Sequence, residues 1–318
     1  MGDVVHNLPV VSDVSVRFPQ AEIDWVVEES FAPIPRLHAM VRRVIPVGLR
    51  RWRNSLLSLE NWREMRAFRA QIRESTYDAI IDTQGLFKSA LLVACAKGRK
   101  YGLDWNSSRE PIGWFYNKAF NIPRGRHAVE RNRALAAAAL GFKVDGPANY
   151  AVGVPDQAQS ALQARLPEHI ARAISADYAV LLHATSAPAK EWPENRWRAL
   201  GKALHANGVI SLLPFGNRSD QNRAERLAND IPGALVPPRL ELELVAALLS
   251  GAAVVIGVDT GLTHLAAALG RPSVGVYCAT DPRVTGLYGL PRATNMGGIG
   301  RAPDVSEILS AIDRVRMS

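Results

Sequence analysis

Residues 254–258 read Val-Val-Ile-Gly-Val and run into Asp259-Thr260-Gly261-Leu262-Thr263-His264. Residues 265–272, Leu-Ala-Ala-Ala-Leu-Gly-Arg-Pro, and 273–277, Ser-Val-Gly-Val-Tyr, follow. The pattern is strand, tight turn, helix, strand. The first run is short and β-branched, as expected of a parallel strand buried on both faces. Asp259, Thr260 and Gly261 supply a polar cap and a permissive backbone where the helix begins. Gly270 and Pro272 stop it. A helix that starts at the carboxyl edge of a parallel sheet points unpaired N–H groups outward, which favours phosphate there. The Asp259 carboxylate would repel a diphosphate, so its expected partners are loop amides or a sugar hydroxyl, with His264 one helical turn on. An ordinary capped helix in an α/β domain fits the same residues.

Around this stretch the second half of the chain repeats one rhythm. Strands are expected at 178–183, 209–213, 234–236, 254–258 and 273–277, with helices at 194–206, 220–229 and 242–250. Such alternation implies a parallel sheet with helices on both faces. Strand ends facing one way gather His183-Ala184-Thr185-Ser186, Pro214-Phe215-Gly216, Asp259-Thr260-Gly261 and Thr280-Asp281-Pro282 along one rim, where ligands of such sheets bind. Lys190 lies in the loop after Thr185-Ser186, placed to meet a departing diphosphate; a solvated loop lysine is the plainer reading. His183 is expected to be satisfied within its strand end. His264 is expected to bind a ligand and not a metal, because no second His or Cys stands at ligand spacing. A closing amphipathic helix is expected at 305–317.

The first half carries the basic charge. From Arg42 to Arg73 there are nine arginines against two glutamates, interleaved with Trp52, Trp62 and Phe68. A strand is expected at 44–47 and a helix from Leu59 onward, with Arg63, Arg66, Arg69 and Arg73 on neighbouring parts of one face, usually a solvated one. Arg50-Arg51-Trp52-Arg53, read as a loop, clusters guanidinium groups beside an aromatic, as a phosphate or carboxylate clamp requires. Residues 79–82 form a strand that turns through Thr83-Gln84-Gly85 into a helix at 86–96, and a further helix spans 127–140. Residues 141–154 are polar and rich in Gly and Pro, so the domain boundary falls there, giving domains 1–150 and 151–318. Two doubly wound Rossmann-like α/β domains make the GT-B arrangement, which some epimerases also use.

At the start, residues 4–16 read as a helix with Pro9 near its first turns, and a strand follows at 23–27. Asp3 is placed at the rim of the first domain, as a general base toward a hydroxyl or as a helix N-cap. Doubly wound domains begin with an apolar strand at the centre of the sheet; here the loop and helix are present and the feeding strand is not.

The 318 residues suffice for two medium domains, and 47% hydrophobic with 21% charged residues is ordinary for a globular protein. Cys95 and Cys278 lie far apart, without zinc spacing or a disulfide framework, which suits a reducing cytosol. No secretory leader and no bilayer-length apolar run are read from the sequence. A net charge of +8 and a pI near 9.8 call for an anionic partner: nucleotide, nucleic acid or an acidic membrane surface. There is no Gly-x-Ser-x-Gly, Walker or Gly-x-Gly-x-x-Gly motif.

Several motifs taken together resemble the lipopolysaccharide heptosyltransferases of type I, inverting glycosyltransferases of the ADP-heptose group with a GT-B fold. They are Met1-Gly2-Asp3-Val-Val-His6, Asp24-Trp25-Val-Val-Glu28-Glu29, Arg50-Arg51-Trp52-Arg53, Asp82-Thr-Gln-Gly85-Leu-Phe-Lys88-Ser89, His127-Ala-Val-Glu-Arg131, Lys190-x-Trp192-Pro193 and Asp259-Thr260-Gly261-x-x-His264. The last marks the wider group; the Arg-Arg-Trp-Arg and Asp-Trp-Val-Val-Glu-Glu runs argue for type I. The resemblance covers essentially the whole chain. It implies transfer of L-glycero-D-manno-heptose from ADP-heptose to a 5-hydroxyl of Kdo on the lipid A precursor, with no metal or cofactor. It makes Asp3 the base and Lys190 the partner of the diphosphate, with Thr185, Ser186, Thr260 and Gly261 around it. Asp259 and His264 then meet the heptose or phosphate region. Asp220 stands near the ribose where the family often has Glu, and Leu240 stands near adenine where Met is common. Arg50, Arg51, Arg53, Arg109 and Arg131 meet acidic groups of the acceptor. Residues 1–150 thus bind acceptor and 151–318 donor, at the cytoplasmic face of the inner membrane as a peripheral protein, without nucleic acid.

Members of that family carry a further apolar strand and a Ser-containing loop ahead of Met-Gly-Asp. The expectation is therefore a gap in the first sheet, from a misplaced start or a truncation, with low stability and little activity. Rival readings are a type II heptosyltransferase with another acceptor, an inactive nucleotide-sugar-binding chain, and a non-catalytic nucleic-acid binder, which would show strongly salt-dependent binding.

Overall fold

The protein's structure, a computed structural model, describes residues 1–54 and 58–317. It divides into two compact units: His6–Ala151, and Val152–Ser318 together with Met1–Val5. The units therefore do not follow 1–150 and 151–318 to the residue. Val4 and Val5 are buried, and the short helix Gly2–Val5 packs on the helix Gly261–Ala268. This apolar contact ties the first five residues to the later unit.

The unit His6–Ala151 opens on the helix Leu8–Arg17. Pro9 sits at its start, where a missing N–H loses no helix bond, and Leu8, Val11 and Val14 are buried. β1 (Ile23–Glu28) pairs in parallel with β2 (Val41–Val47). β3 (Thr76–Ile81) pairs in parallel with β4 (Lys97–Leu103), and β4 with β5 (Lys118–Phe120). Among the described residues no ladder joins β1 to β3. Side chains make the link. Tyr77 Oη donates to Asp24 Oδ2 at 2.9 Å, and Arg43 bridges Asp24 at 2.8 Å and Glu74 at 2.7 Å. Arg42 adds a second guanidinium on Asp24 at 2.8 Å. Burial pushes the Asp24 carboxyl up, but Arg43, Arg42 and Tyr77 outweigh it and hold its pKa below the ordinary value. One apolar face, built on Ile45, Val47, Trp52, Phe68 and Ile72, supports strands of both sheets.

The Arg50–Arg53 stretch is not a loop: residues Leu49–Asn54 are helical. Trp52 decides this, being buried with its indole N–H donating to Glu64 Oε2 at 2.8 Å. The basic helix Leu59–Ile72 starts at Ser58, whose hydroxyl accepts from the Asn61 amide, and buries Phe68 and Ile72 on its inner face.

The later unit is a five-stranded parallel sheet in the order β10 (Ala293–Gly297), β9 (Ser273–Tyr277), β8 (Val254–Val258), β6 (Tyr178–Leu182), β7 (Ile210–Leu212). Every residue of β6, β8 and β9 is buried, in line with the unbroken apolar runs. Residues 234–236 do not form a strand; a single bridge from Leu235 to Leu212 is all that remains, because Gly233 takes a left-handed turn and Pro237 and Pro238 follow. Helices Glu194–Ala206, Arg218–Asp230 and Val305–Met317 cover one face through Trp197, Leu200, Leu227, Ile308 and Ile312.

Candidate active site

Adjacent parallel strands β6, β8 and β9 end on the same side, so residues far apart in sequence meet beyond their carboxyl ends. Asp259 follows β8 directly. Its Oδ2 accepts from Lys190 Nζ at 2.7 Å and from Thr280 Oγ1 at 2.8 Å, while His264 Nε2 lies 3.6 Å from Oδ1. Burial raises the pKa of this carboxyl, yet His264, Lys190 and Thr280 overcome it and hold it far below the usual carboxylate range. The group is a fixed anion faced by an ammonium, an imidazole and a hydroxyl.

Local geometry locks this arrangement. Thr263 Oγ1 donates to the Val258 carbonyl at 2.8 Å, tying the helix Gly261–Ala268 to the end of β8. A side chain at Gly257 would collide with that hydroxyl and with Leu182. Thr185 Oγ1 donates to the Asp259 carbonyl at 3.3 Å, bringing the end of β6 to the same point. Thr260 stands at the helix N-cap without a side-chain cap bond, so the polar cap expected there is absent. Within the chain Asp259 takes its cationic and hydroxyl partners, Lys190 and Thr280, from the segments that follow β6 and β9, where loop amides were one of the expected partners. Met1 lies against Gly261, and Gly2 lies near His264, 3.7 Å from the position of an added Cβ to the ring. This brings the short helix bearing Asp3, itself exposed, to the unit that holds Asp259.

Ser186 is exposed in the turn between Thr185 and Lys190. Asp220 lies in the first turn of the helix Arg218–Asp230, where Asn217 caps its amide at 3.0 Å and donates to its Oδ2 at 2.9 Å. Leu240 is half-buried in the segment after Pro237 and Pro238. The expectation for His183 fails. It is fully buried and, among the described residues, neither ring nitrogen has a hydrogen-bond partner. Burial first, then Arg223, lowers its pKa to about 4, so the ring is neutral. Thr280 is the residue that sequence reading left without a role on the rim; its bond to Asp259 spans 21 positions and no local spacing announces it.

In the unit His6–Ala151 the arginines expected to meet the acceptor fall into two groups along the chain. Arg51 is held by Glu29 at 2.8 Å and by Glu64, and Arg50 lies over the Phe31 ring at 5.2 Å. The side chain of Arg53 lies outside the described residues. Arg131 donates to the Ser107 carbonyl at 2.7 Å, and Arg124 donates to that of Ser108. Burial, then Arg109 and Arg124, lowers the pKa of Arg131, so three guanidinium groups act on one region. Arg124 was not foreseen; its signal is the Arg-Gly-Arg run just before His127.

Parallel sheets in both units, with an ammonium, a carboxylate and helix amides gathered at strand ends, define a GT-B-type α/β protein. The sequence model of glycosyltransferase family 9 (heptosyltransferase) matches residues 65–309. The chain belongs to that family. It is 46% identical over 292 residues to lipopolysaccharide heptosyltransferase 1 of Escherichia coli K12, spanning 91% of this chain and 88% of the relative. It also resembles the solved structure of E. coli heptosyltransferase WaaC with ADP, with a TM-score of 0.87, 41% identity and 99% and 97% of the two chains covered. The same enzyme with ADP-2-deoxy-2-fluoro heptose superposes with a TM-score of 0.81 at 42% identity, over 98% and 95% of the chains.

Proposed function

We propose that the chain transfers L-glycero-D-manno-heptose from ADP-heptose to a 5-hydroxyl of Kdo on the lipid A precursor, with inversion at the anomeric carbon. The observation that supports it best is the Lys190–Asp259–His264–Thr280 cluster beside the start of the helix Gly261–Ala268. The acceptor oxygen attacks the anomeric carbon as the bond to the diphosphate breaks. Asp3 takes the hydroxyl proton, and one displacement on the face opposite the leaving group inverts the centre. ADP departs with added negative charge, which Lys190 and the amides after Thr260 stabilise, aided by Thr185, Ser186 and Gly261. Asp259 fixes Lys190 and His264 in position and meets the heptose. Its own charge is offset by Lys190, which lessens its repulsion of the diphosphate.

Asp220 serves the ribose and Leu240 the adenine. Arg50, Arg51, Arg53, Arg109 and Arg131 receive the acceptor's carboxylates and phosphates. Arg51 must then exchange a carboxylate partner for the ligand, whereas Arg109 and Arg131 have no such partner to give up in the hydrogen bonds and ion pairs described. A cytoplasmic, peripheral membrane location follows from a lipid acceptor and a basic surface.

The test is product formation with ADP-heptose and Kdo-lipid A for wild type, Asp3→Ala and Lys190→Ala, with the anomeric configuration read by NMR. Full activity in both variants, or a retained configuration, rejects the mechanism. Turnover only with a different purified acceptor points to a type II enzyme.

A further inference from the structure

Four large apolar side chains of the unit His6–Ala151 face solvent within one small region. Trp114 is 69% exposed, Trp105 54%, Phe87 53% and Leu91 47%. The rings form two pairs joined through the chain neighbours Trp114 and Phe115. Trp105 and Trp114 meet edge to face at 4.8 Å, and Phe87 meets Phe115 at 5.5 Å. Phe87 and Leu91 lie one turn apart on the helix Phe87–Cys95, which packs against the turn Gly113–Phe115. Beneath them Ala90, Val93, Ile112 and Tyr116 form a buried base, so the patch is a built surface and not a frayed edge. Contiguous exposed apolar area of this kind marks an interaction site.

Its charge selects the partner. Residues 84–126 contain eight Lys and Arg against two acidic residues. Both acids are engaged: Glu110 accepts from the Phe87 amide, and Asp104 accepts from the Ser107 amide and the Asn121 side chain. Lys88, Arg109, Lys118 and Arg124 are exposed on this stretch, as is Glu110; Lys118 lies over the Phe120 ring at 4.9 Å and Arg124 donates to the Ser108 carbonyl. Tryptophans with an apolar body and a polar N–H, on a stretch rich in cations, match the headgroup layer of an anionic bilayer. We propose that residues 105–115 and the start of the helix Phe87–Cys95 dock this unit on an anionic lipid surface. The inference deepens the proposed function, since it rests on an acceptor carried in a membrane, and it assigns the contact to particular residues.

The full chain is tested by flotation with vesicles of phosphatidylcholine alone and of phosphatidylcholine with phosphatidylglycerol. Wild type is expected to float with the anionic vesicles, less so at high salt, and hardly with the neutral ones. Trp105→Ser with Trp114→Ser is expected to weaken this about tenfold or more. Lys88→Gln and Lys118→Gln are each expected to weaken it about fivefold. Tryptophan emission should shift to the blue on vesicle addition in wild type and much less in the double Trp variant, a readout that does not depend on comparing yields. Vesicle binding within twofold of wild type in the double Trp variant overturns the proposal. So does a wild type that ignores anionic vesicles, or one that dimerises through these tryptophans. A water-soluble acceptor without acyl chains separates the two readings. Unchanged turnover in the variants with lost vesicle binding supports docking. Turnover without any vesicle binding sinks docking alone, and vesicle binding without turnover sinks the transferase reading alone.

Discussion

Asp259 meets three partners through two oxygens, and each partner comes from a different strand end or helix turn. Lys190→Ala removes the charge proposed to face the leaving diphosphate and leaves Asp259 without its shortest contact, at 2.7 Å. Turnover should fall by about 10²–10³-fold, measured as ADP release under saturating donor, with a circular dichroism spectrum like that of wild type. His183 supplies a different test. It is neutral when folded, with a pKa of about 4, and returns to 6.5 on unfolding. Between those values the unfolded chain binds the extra proton, so stability holds above pH 6.5, declines as pH falls toward 4 and then levels. The loss amounts to about 3 kcal/mol at most. Urea midpoints across this window should fall less in His183→Leu than in wild type; equal slopes would remove the assignment.

At the scale of elements, the two units contrast in how their strands are held. β6, β8 and β9 are buried along their whole length, whereas β1 and β3 are mostly half-buried and pair on one side only. Amide hydrogen exchange should therefore be slower throughout β8 than in β1 and β3, whose open edges let water reach the backbone. Gly257→Ala puts a methyl against Thr263 Oγ1 and Leu182. It should lower stability by about 1–3 kcal/mol, measured by chemical denaturation.

The sequence revealed β8, the turn and the following helix because strand run, polar turn and Gly stop all lie within 25 residues or so of each other. It could not show that Lys190 reaches Asp259, since that pairing is set by the order of strands in the sheet. The helix around Trp52 was misread because its anchor, Glu64, belongs to the next helix. β10 escaped because Ala-Thr-Asn-Met-Gly carries no apolar run; its partner β9 makes it a strand. The bond from Thr280 to Asp259 was illegible for the same reason as that from Lys190.

Taken whole, the molecule holds two units with separate apolar cores. Calorimetry should resolve two transitions, and ADP at a hundred times its Kd should stabilise the later unit by about 2.7 kcal/mol while moving the other less. An equal shift in both would argue against an ADP site built from the later unit alone. The clasp between the two sheets of His6–Ala151 carries a consequence for such measurements. Asp24, 3% exposed at its side chain, is shared by two arginines and a tyrosine in place of a backbone ladder. Guanidinium chloride offers that carboxylate a flood of competing guanidinium ions and screens its charge besides; urea does neither. The apparent toughness of this half will thus depend on which denaturant is chosen, and only urea titrations at fixed ionic strength will rank variants of it on a common scale.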